Sequence, residues 1–229
     1  MRLFFLVSLL VLTLSCSVSK VELPASKPTE AGLVSFYKFD GNSKDSKGKN
    51  HGVTNRMRYS AFDKRNTQGI ADLDGSGSHV LLPDEFDLKD RTISFWVRAK
   101  EVPTEGAIIL ASDNPTIQYG LMVFAVKQEN QSSNLTFNFS GQVFKLPIEK
   151  GKWYHVGASL KDKNYRYYLN GKLISSGTFA NYIKSGNGYE STLIGCSRVY
   201  DRFFIGSIDD LRIYNRTLTD EEVAVLATP

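Results

Sequence analysis

The chain has 229 residues, of which 41% are hydrophobic and 12% aromatic, enough core material for one large β domain or two small ones. A formal net charge of +4 with scattered basic residues gives no electrostatic case for a nucleic-acid partner. Two cysteines, Cys16 and Cys196, exclude a disulfide-stapled scaffold. The start of the chain does not read as core. A basic Met1-Arg2 precedes an apolar run over 3–14 whose polar members are Ser8 and Thr13. That pattern predicts a secretory signal over 1–15, too short for a comfortable membrane span.

The four residues Thr13-Leu14-Ser15-Cys16 resemble the end of a bacterial lipoprotein signal. The small Ser15 before the cysteine fits that pattern, and Thr13 and Leu14 do not. Two readings follow: acyl chains on Cys16 tether the protein to a membrane, or an ordinary signal happens to contain a cysteine. Residues 16–30, rich in Ser and Lys with two prolines, read as a flexible tether, and 31–229 as the domain. Cys196 then has no partner and is expected as a buried small hydrophobe. Four Asn-x-Ser/Thr sequons occur, three of them in an Asn/Ser-rich stretch where those residues are simply common.

From residue 33 the pattern is one of short strands. LVSFYKFD is followed by a polar loop over 41–52, and strands are predicted over 70–73 and 79–82 around Asp74-Gly75-Ser76-Gly77. Further strands are expected over 92–99, 107–112, 119–127, 135–139, 154–160 and 165–169. In 92–99, Ile93, Phe95 and Val97 share one face, leaving Trp96 with Ser94 and Arg98. Asn170-Gly171 is the strongest hairpin signal in the chain. After a strand over 191–194, the last strand is expected over 207–214, with Asp209, Leu211 and Ile213 on one face and Asp210 turned to solvent. Thr219 and Glu222 form a capping box that starts a helix over 220–226. Many short strands with regular turns predict a two-sheet sandwich or a barrel.

Six segments carry a family resemblance: 34–52, 69–83, 91–99, 150–160, 165–177 and 194–223. In this order they resemble the laminin-G-like branch of the concanavalin A-like lectin/glucanase superfamily. The resemblance covers residues 33–226 and implies an all-β, two-sheet antiparallel jelly-roll sandwich with a short C-terminal helix. It implies no single function, because the fold hosts lectins, adhesion modules, glucanases and lyases.

Residues of this chain approach four kinds of site. Many relatives hold one structural Ca²⁺ where the first and last strands meet. The matching positions are Asp40 and Asp209, with the Gly41 carbonyl as a weaker ligand; the alternative is that both acids cap turns. The glucanase pattern of three acids along one strand is approached by Glu85, Asp87 and Asp90. Asp90 is not Glu, its parity is wrong, and the resemblance places the segment in a connection. His155 is expected to be structural. Sugar recognition needs flat aromatic rings with polar side chains around them. The set chosen is Tyr200 with Arg198 and Arg202, joined by Tyr182 and Tyr189; Tyr165, Tyr167 and Trp96 are further candidates, each also readable as scaffold. The expectation is an exported, non-catalytic module that binds a glycan at a bacterial cell envelope. A protein-binding adhesion module is one alternative, and a glycoside hydrolase or polysaccharide lyase on the same fold is another.

Overall fold

The computed structural model describes residues 27–60, 69–83, 90–112, 122–139, 142–179, 192–197 and 199–228. Cys16, Tyr182, Tyr189, Arg198, Glu85 and Asp87 lie outside the described residues. Among those described, the first eight strands are β1 (Leu33–Tyr37), β2 (Val53–Asn55), β3 (Arg58–Ser60), β4 (Ile70–Asp74), β5 (His79–Leu82), β6 (Arg91–Ala99), β7 (Ala107–Ser112) and β8 (Met122–Glu129). They are followed by β9 (Ser132–Phe139), β10 (Gln142–Pro147), β11 (Trp153–Lys161), β12 (Asn164–Leu169), β13 (Lys172–Thr178), β14 (Thr192–Ile194) and β15 (Ile205–Tyr214), and then by helix α1 (Asp220–Leu226).

The pairings between these strands are all antiparallel. One sheet runs β13-β12-β11-β6-β15-β4-β3, with β1 also on β15; the other runs β10-β9-β8-β7-β14-β5-β2. The two inner faces make the core. Ile93, Phe95 and Val97 of β6 enter it as their alternation predicts. The Phe95 ring meets Phe124 edge-on at 5.1 Å, Phe124 meets Phe137 at 5.4 Å, and Phe137 lies 4.9 Å from Tyr167. This aromatic relay joins the sheets, and edge-on geometry suits the ring quadrupoles. On the outside of the first sheet, α1 buries Val223 and Leu226 against Tyr168, Tyr214 and Leu218. The predicted capping box is present: Glu222 N–H donates to Thr219 Oγ1 and Thr219 N–H to the Glu222 carboxylate. The β12–β13 turn has Asn170 at φ 49° and Gly171 at φ 75°, as a primed turn requires. A Cβ on Gly171 would come within 2.9 Å of Ala224, so the glycine also admits the helix.

The structure corrects the parity of β15. Asp209 pairs with Trp96, but Arg212 pairs with Ser94, so Asp210 and Leu211 together face Phe95. This is a β-bulge, with Asp210 at φ 51°. Ile208, Leu211 and Ile213 face the core. Asp209 therefore does not share their face; it lies on the outer side with Trp96, fully buried. The strands β2, β3 and β10 were not anticipated, because three-residue pairings and a mostly exposed edge strand carry too little alternation to register.

Candidate functional site

The rim loop follows β14. Gly195 N–H donates to the Ile109 carbonyl and Phe204 N–H to the Gly195 carbonyl, both at 2.8 Å, while Ile108 N–H reaches the Arg202 carbonyl at 2.9 Å. The loop is thus fastened to β7 on both arms. Phe204 and Cys196 are its buried anchors. Burial, with the Asp201 charge behind it, raises the Cys196 thiol to about 11, in keeping with the small hydrophobe expected there. At the tip, Tyr200 N–H bonds the Ser197 carbonyl, Ser197 N–H bonds the Asp201 carbonyl, and Ser197 Oγ donates to the Asp201 carboxylate. These bonds leave Val199 76% and Tyr200 53% exposed. Tyr200 (φ 55°) and Arg202 (φ 47°) are both held in the left-handed region, at a cost of about 1–2 kcal/mol each.

Of the set chosen for sugar contact, Tyr200 and Arg202 are the two described, with Asp201 between them and 3.5 Å from Arg202 Nε. A second ring was missed. His79, on the outer parity of β5 opposite the buried Val80 and Leu82, lies 5.2 Å from Tyr200 at 58°. Its outward parity beside the Asp74–Ser78 turn was the available signal. Trp96 does have the outer parity predicted for it, but it is 7% exposed and set edge-on against His155 at 5.5 Å. Tyr167 is buried and Tyr165 packs against the core, so both are scaffold. His155 is structural as expected, buried, with Nε2 2.7 Å from Ser94 Oγ.

The candidate cation position has one member in place. Asp40 sits between two left-handed residues, Phe39 (φ 58°) and Gly41 (φ 77°), under close approach from Gly69. Its Oδ1 is buried without a hydrogen-bond partner. Burial raises the Asp40 pKa, and the neighbouring Asp210 charge raises it further. The bulge brings in Asp210 as an acid whose charge Asp40 feels, with Arg212 3.7 Å from Asp210 as counter-charge. Among the described residues no group of three His, Cys, Asp or Glu forms, so backbone carbonyls and water would have to complete a Ca²⁺ shell. A buried orphan oxygen and two mutually repelling carboxylates fit a hard cation. Asp45, by contrast, pins its loop. Burial alone would raise its pKa, but N–H bonds from Phe36 and Lys47 and the Ser35 hydroxyl prevail and lower it. Asp90 caps a turn, accepting from Asp162 N–H at 3.2 Å.

Comparison with known proteins agrees with this architecture. A laminin-G-type profile described as the concanavalin A-like lectin/glucanases superfamily matches residues 74–224. Among solved structures, domain 4 of AbnA, an extracellular arabinanase of Geobacillus stearothermophilus seen with arabinotriose, is similar at TM-score 0.69 and 24% identity. The match covers 87% of this chain and 100% of that one. Trypanosoma rangeli sialidase in complex with sialic acid is similar at TM-score 0.71 and 16% identity, over 90% of this chain and 34% of that one. The binding domain of botulinum neurotoxin serotype D is similar at 0.64 and 14%, over 86% and 51%. The chain thus spans about a third of the sialidase and half of the neurotoxin fragment. At these identities the likenesses establish the fold, which is shared with domains of carbohydrate-active proteins.

Proposed function

Because the chain belongs to the concanavalin A-like lectin/glucanases superfamily, we propose that it is a glycan-binding module whose contact surface is the Tyr200 rim, and that it does no chemistry. The observation that carries this reading is the exposed Tyr200 ring on a loop fastened to β7, backed by His79 and flanked by Arg202. A rigid aromatic loses little freedom on contact with the C–H face of a sugar, and the side chains around it reach hydroxyls. The arabinotriose seen with the arabinanase domain supports the same class of ligand. Against catalysis stands the make-up of the rim. Its one tip carboxylate, Asp201, is engaged by Ser197 and Arg202, whereas glycosidases set two acids about 5–9.5 Å apart.

The test is a glycan array followed by titration of the best ligand into the wild type and Tyr200→Ala. The reading predicts saturable binding that weakens tenfold or more in the variant, with the fold intact by circular dichroism. Equal binding by the variant would move the site elsewhere. Exposed Val199 beside Tyr200 favours a protein partner as the second reading, which silence across the array would bring forward.

Two further expectations belong to this proposal. A structural Ca²⁺ held by Asp40 and Asp210, with the Gly41 carbonyl, would relieve the repulsion between the two acids; Asp209 contributes to that neighbourhood through the bulge it begins. Export under the signal at 1–15, and lipid attachment at Cys16, would place the module at a cell envelope.

A further inference from the structure

We infer that Arg216 clasps the N-terminal strap 29–31 to helix α1, so that strap and helix open as one unit and the domain is held from Thr29 onward. This clasp governs how the domain is carried on the chain before it and is independent of the ligand at the rim. An arginine offers five N–H donors in a fixed fork, and here each has an acceptor. Nε donates to the Ala31 carbonyl at 2.8 Å. Nη1 donates to the Thr217 carbonyl at 3.3 Å and to Glu222 Oε2 at 2.8 Å. Nη2 donates to Thr29 Oγ1 at 3.4 Å and to Glu222 Oε1 at 2.6 Å. Thr29 and Ala31 belong to the strap, Thr217 to the turn after β15, and Glu222 to the first turn of α1. One side chain thus joins three parts of the fold. A single surface ion pair contributes little, whereas a guanidinium with every donor engaged gives up all its bonds when either side leaves.

Both sides are built to receive it. On the strap side, Gly32 has φ 76°, and a Cβ there would come within 2.8 Å of Asn215 Oδ1 and 3.0 Å of Arg216 Cγ. The bare glycine is what lets the strap lie down on the arginine stem. Asn215 N–H then reaches the Gly32 carbonyl at 2.9 Å, Leu33 N–H the Glu30 carbonyl at 3.2 Å, and Lys47 Nζ the Glu30 carboxylate at 2.8 Å. On the helix side, the Glu222 oxygen that Nη1 holds also accepts from Thr219 N–H, so the same carboxylate closes the capping box. A helix of seven residues is short for independent stability. The strap leads into β1, which has β15 as its one neighbour among the described strands and shifts register between Leu33 and Ser35. Each element frays easily by itself, and the clasp makes the two depend on each other.

The experiment is native-state amide hydrogen exchange, followed by NMR, on the purified wild type, Arg216→Gln, Arg216→Lys and Gly32→Ala. The amides of Leu33 and Asn215 report on the strap, and those of Glu222 and Val223 on the start of the helix. Phe95 and Val156, paired at the centre of the first sheet, are the control. The clasp predicts protected strap amides in the wild type and, in Arg216→Gln, a loss of about tenfold or more at strap and helix together. The sheet centre should stay within about twofold. Gly32→Ala leaves Arg216 and Glu222 in place, yet it should loosen the helix amides along with the strap. Loss confined to the strap in Gly32→Ala, or to the helix in Arg216→Gln, would overturn the coupling, as would unprotected strap amides in the wild type. If Arg216→Gln also lowers the sheet centre, Arg216→Lys decides. A lysine keeps the charge but cannot span the five acceptors, so the paired loss should persist, whereas wild-type protection would overturn the clasp.

Discussion

Tyr200 and Arg202 keep left-handed backbones that neither residue type favours, and the bonds from Gly195, Ile108 and Phe204 are what hold them there. A loop so fastened presents its aromatic ring in one orientation, which is why strain at these two positions bears on recognition. Asp40 presents the opposite situation: a carboxylate that its surroundings penalise. Burial and the Asp210 charge raise its pKa in the folded state. By linkage, its contribution is most favourable below the ordinary aspartate pKa and is lost as pH rises through the raised value. At neutral pH the ionised side chain therefore works against the metal-free fold. Asp40→Asn should raise the melting temperature at pH 7 in chelator, and the proposed ion predicts that calcium raises the melting temperature of the wild type and not of the variant. A variant less stable in chelator, or one that calcium still stabilises as before, would remove Asp40 from the cation site.

At the scale of elements, the C-terminal helix shows how far a local signal carries. Thr219 and Glu222 predicted its start from sequence, and the structure adds a second use of the same carboxylate. Arg216 binds Glu222 through Nη1 at 2.8 Å and Nη2 at 2.6 Å, and with Nε it holds the Ala31 carbonyl at 2.8 Å. The Arg216 bond comes first among the causes that hold the Glu222 carboxyl down at about 2. Because this pKa is depressed, the stabilisation is whole above the ordinary value of 4.5 and disappears as pH falls through about 2. Glu222→Gln should cost at least about 1 kcal/mol in urea unfolding at pH 7, a deficit that shrinks as pH falls towards 2 and is gone well below it. A deficit that persists in acid would assign it to packing instead. The bulge in β15 shows where local reading stops. Period-two alternation places Asp209 with Leu211, but one extra residue in the strand moves Asp209 to the outer face and puts Asp210 at φ 51°. Adjacent aspartates, a residue type that tolerates the left-handed region, were the only hint in the sequence. His79 was illegible for another reason. Its neighbour Tyr200 lies in the rim loop, far along the chain, and only the tertiary fold puts the two rings side by side.

Over the whole molecule, β15 separates two poles. Residues 27–33 are held at its Tyr214 end, where the Tyr214 hydroxyl donates to the Thr29 carbonyl at 3.2 Å and Leu33 pairs with Tyr214. The rim loop enters at the other end of this ten-residue strand, through Ile205, roughly 30 Å away. A chain tethered through its N-terminal side would therefore carry the rim on its far pole, facing outward. If Cys16 is the anchor, a bacterial host fed a labelled fatty acid should label the wild type and not Cys16→Ser; label in both would place the attachment elsewhere. The sandwich itself was legible because its six matched segments lie in order along the chain, and all but the bulged last one set their strand core residues at period two. The ligand was not, since the same sheets support many rims. One measurement addresses the central claim directly: an NMR titration of the protein with the oligosaccharide selected on the array, observing protein amides and sugar anomeric protons together. The account predicts shifts clustered at Tyr200, Asp201, Arg202 and His79, with the sugar's anomeric signals unchanged in number after a day. Shifts centred elsewhere, or new reducing-end signals, would contradict it.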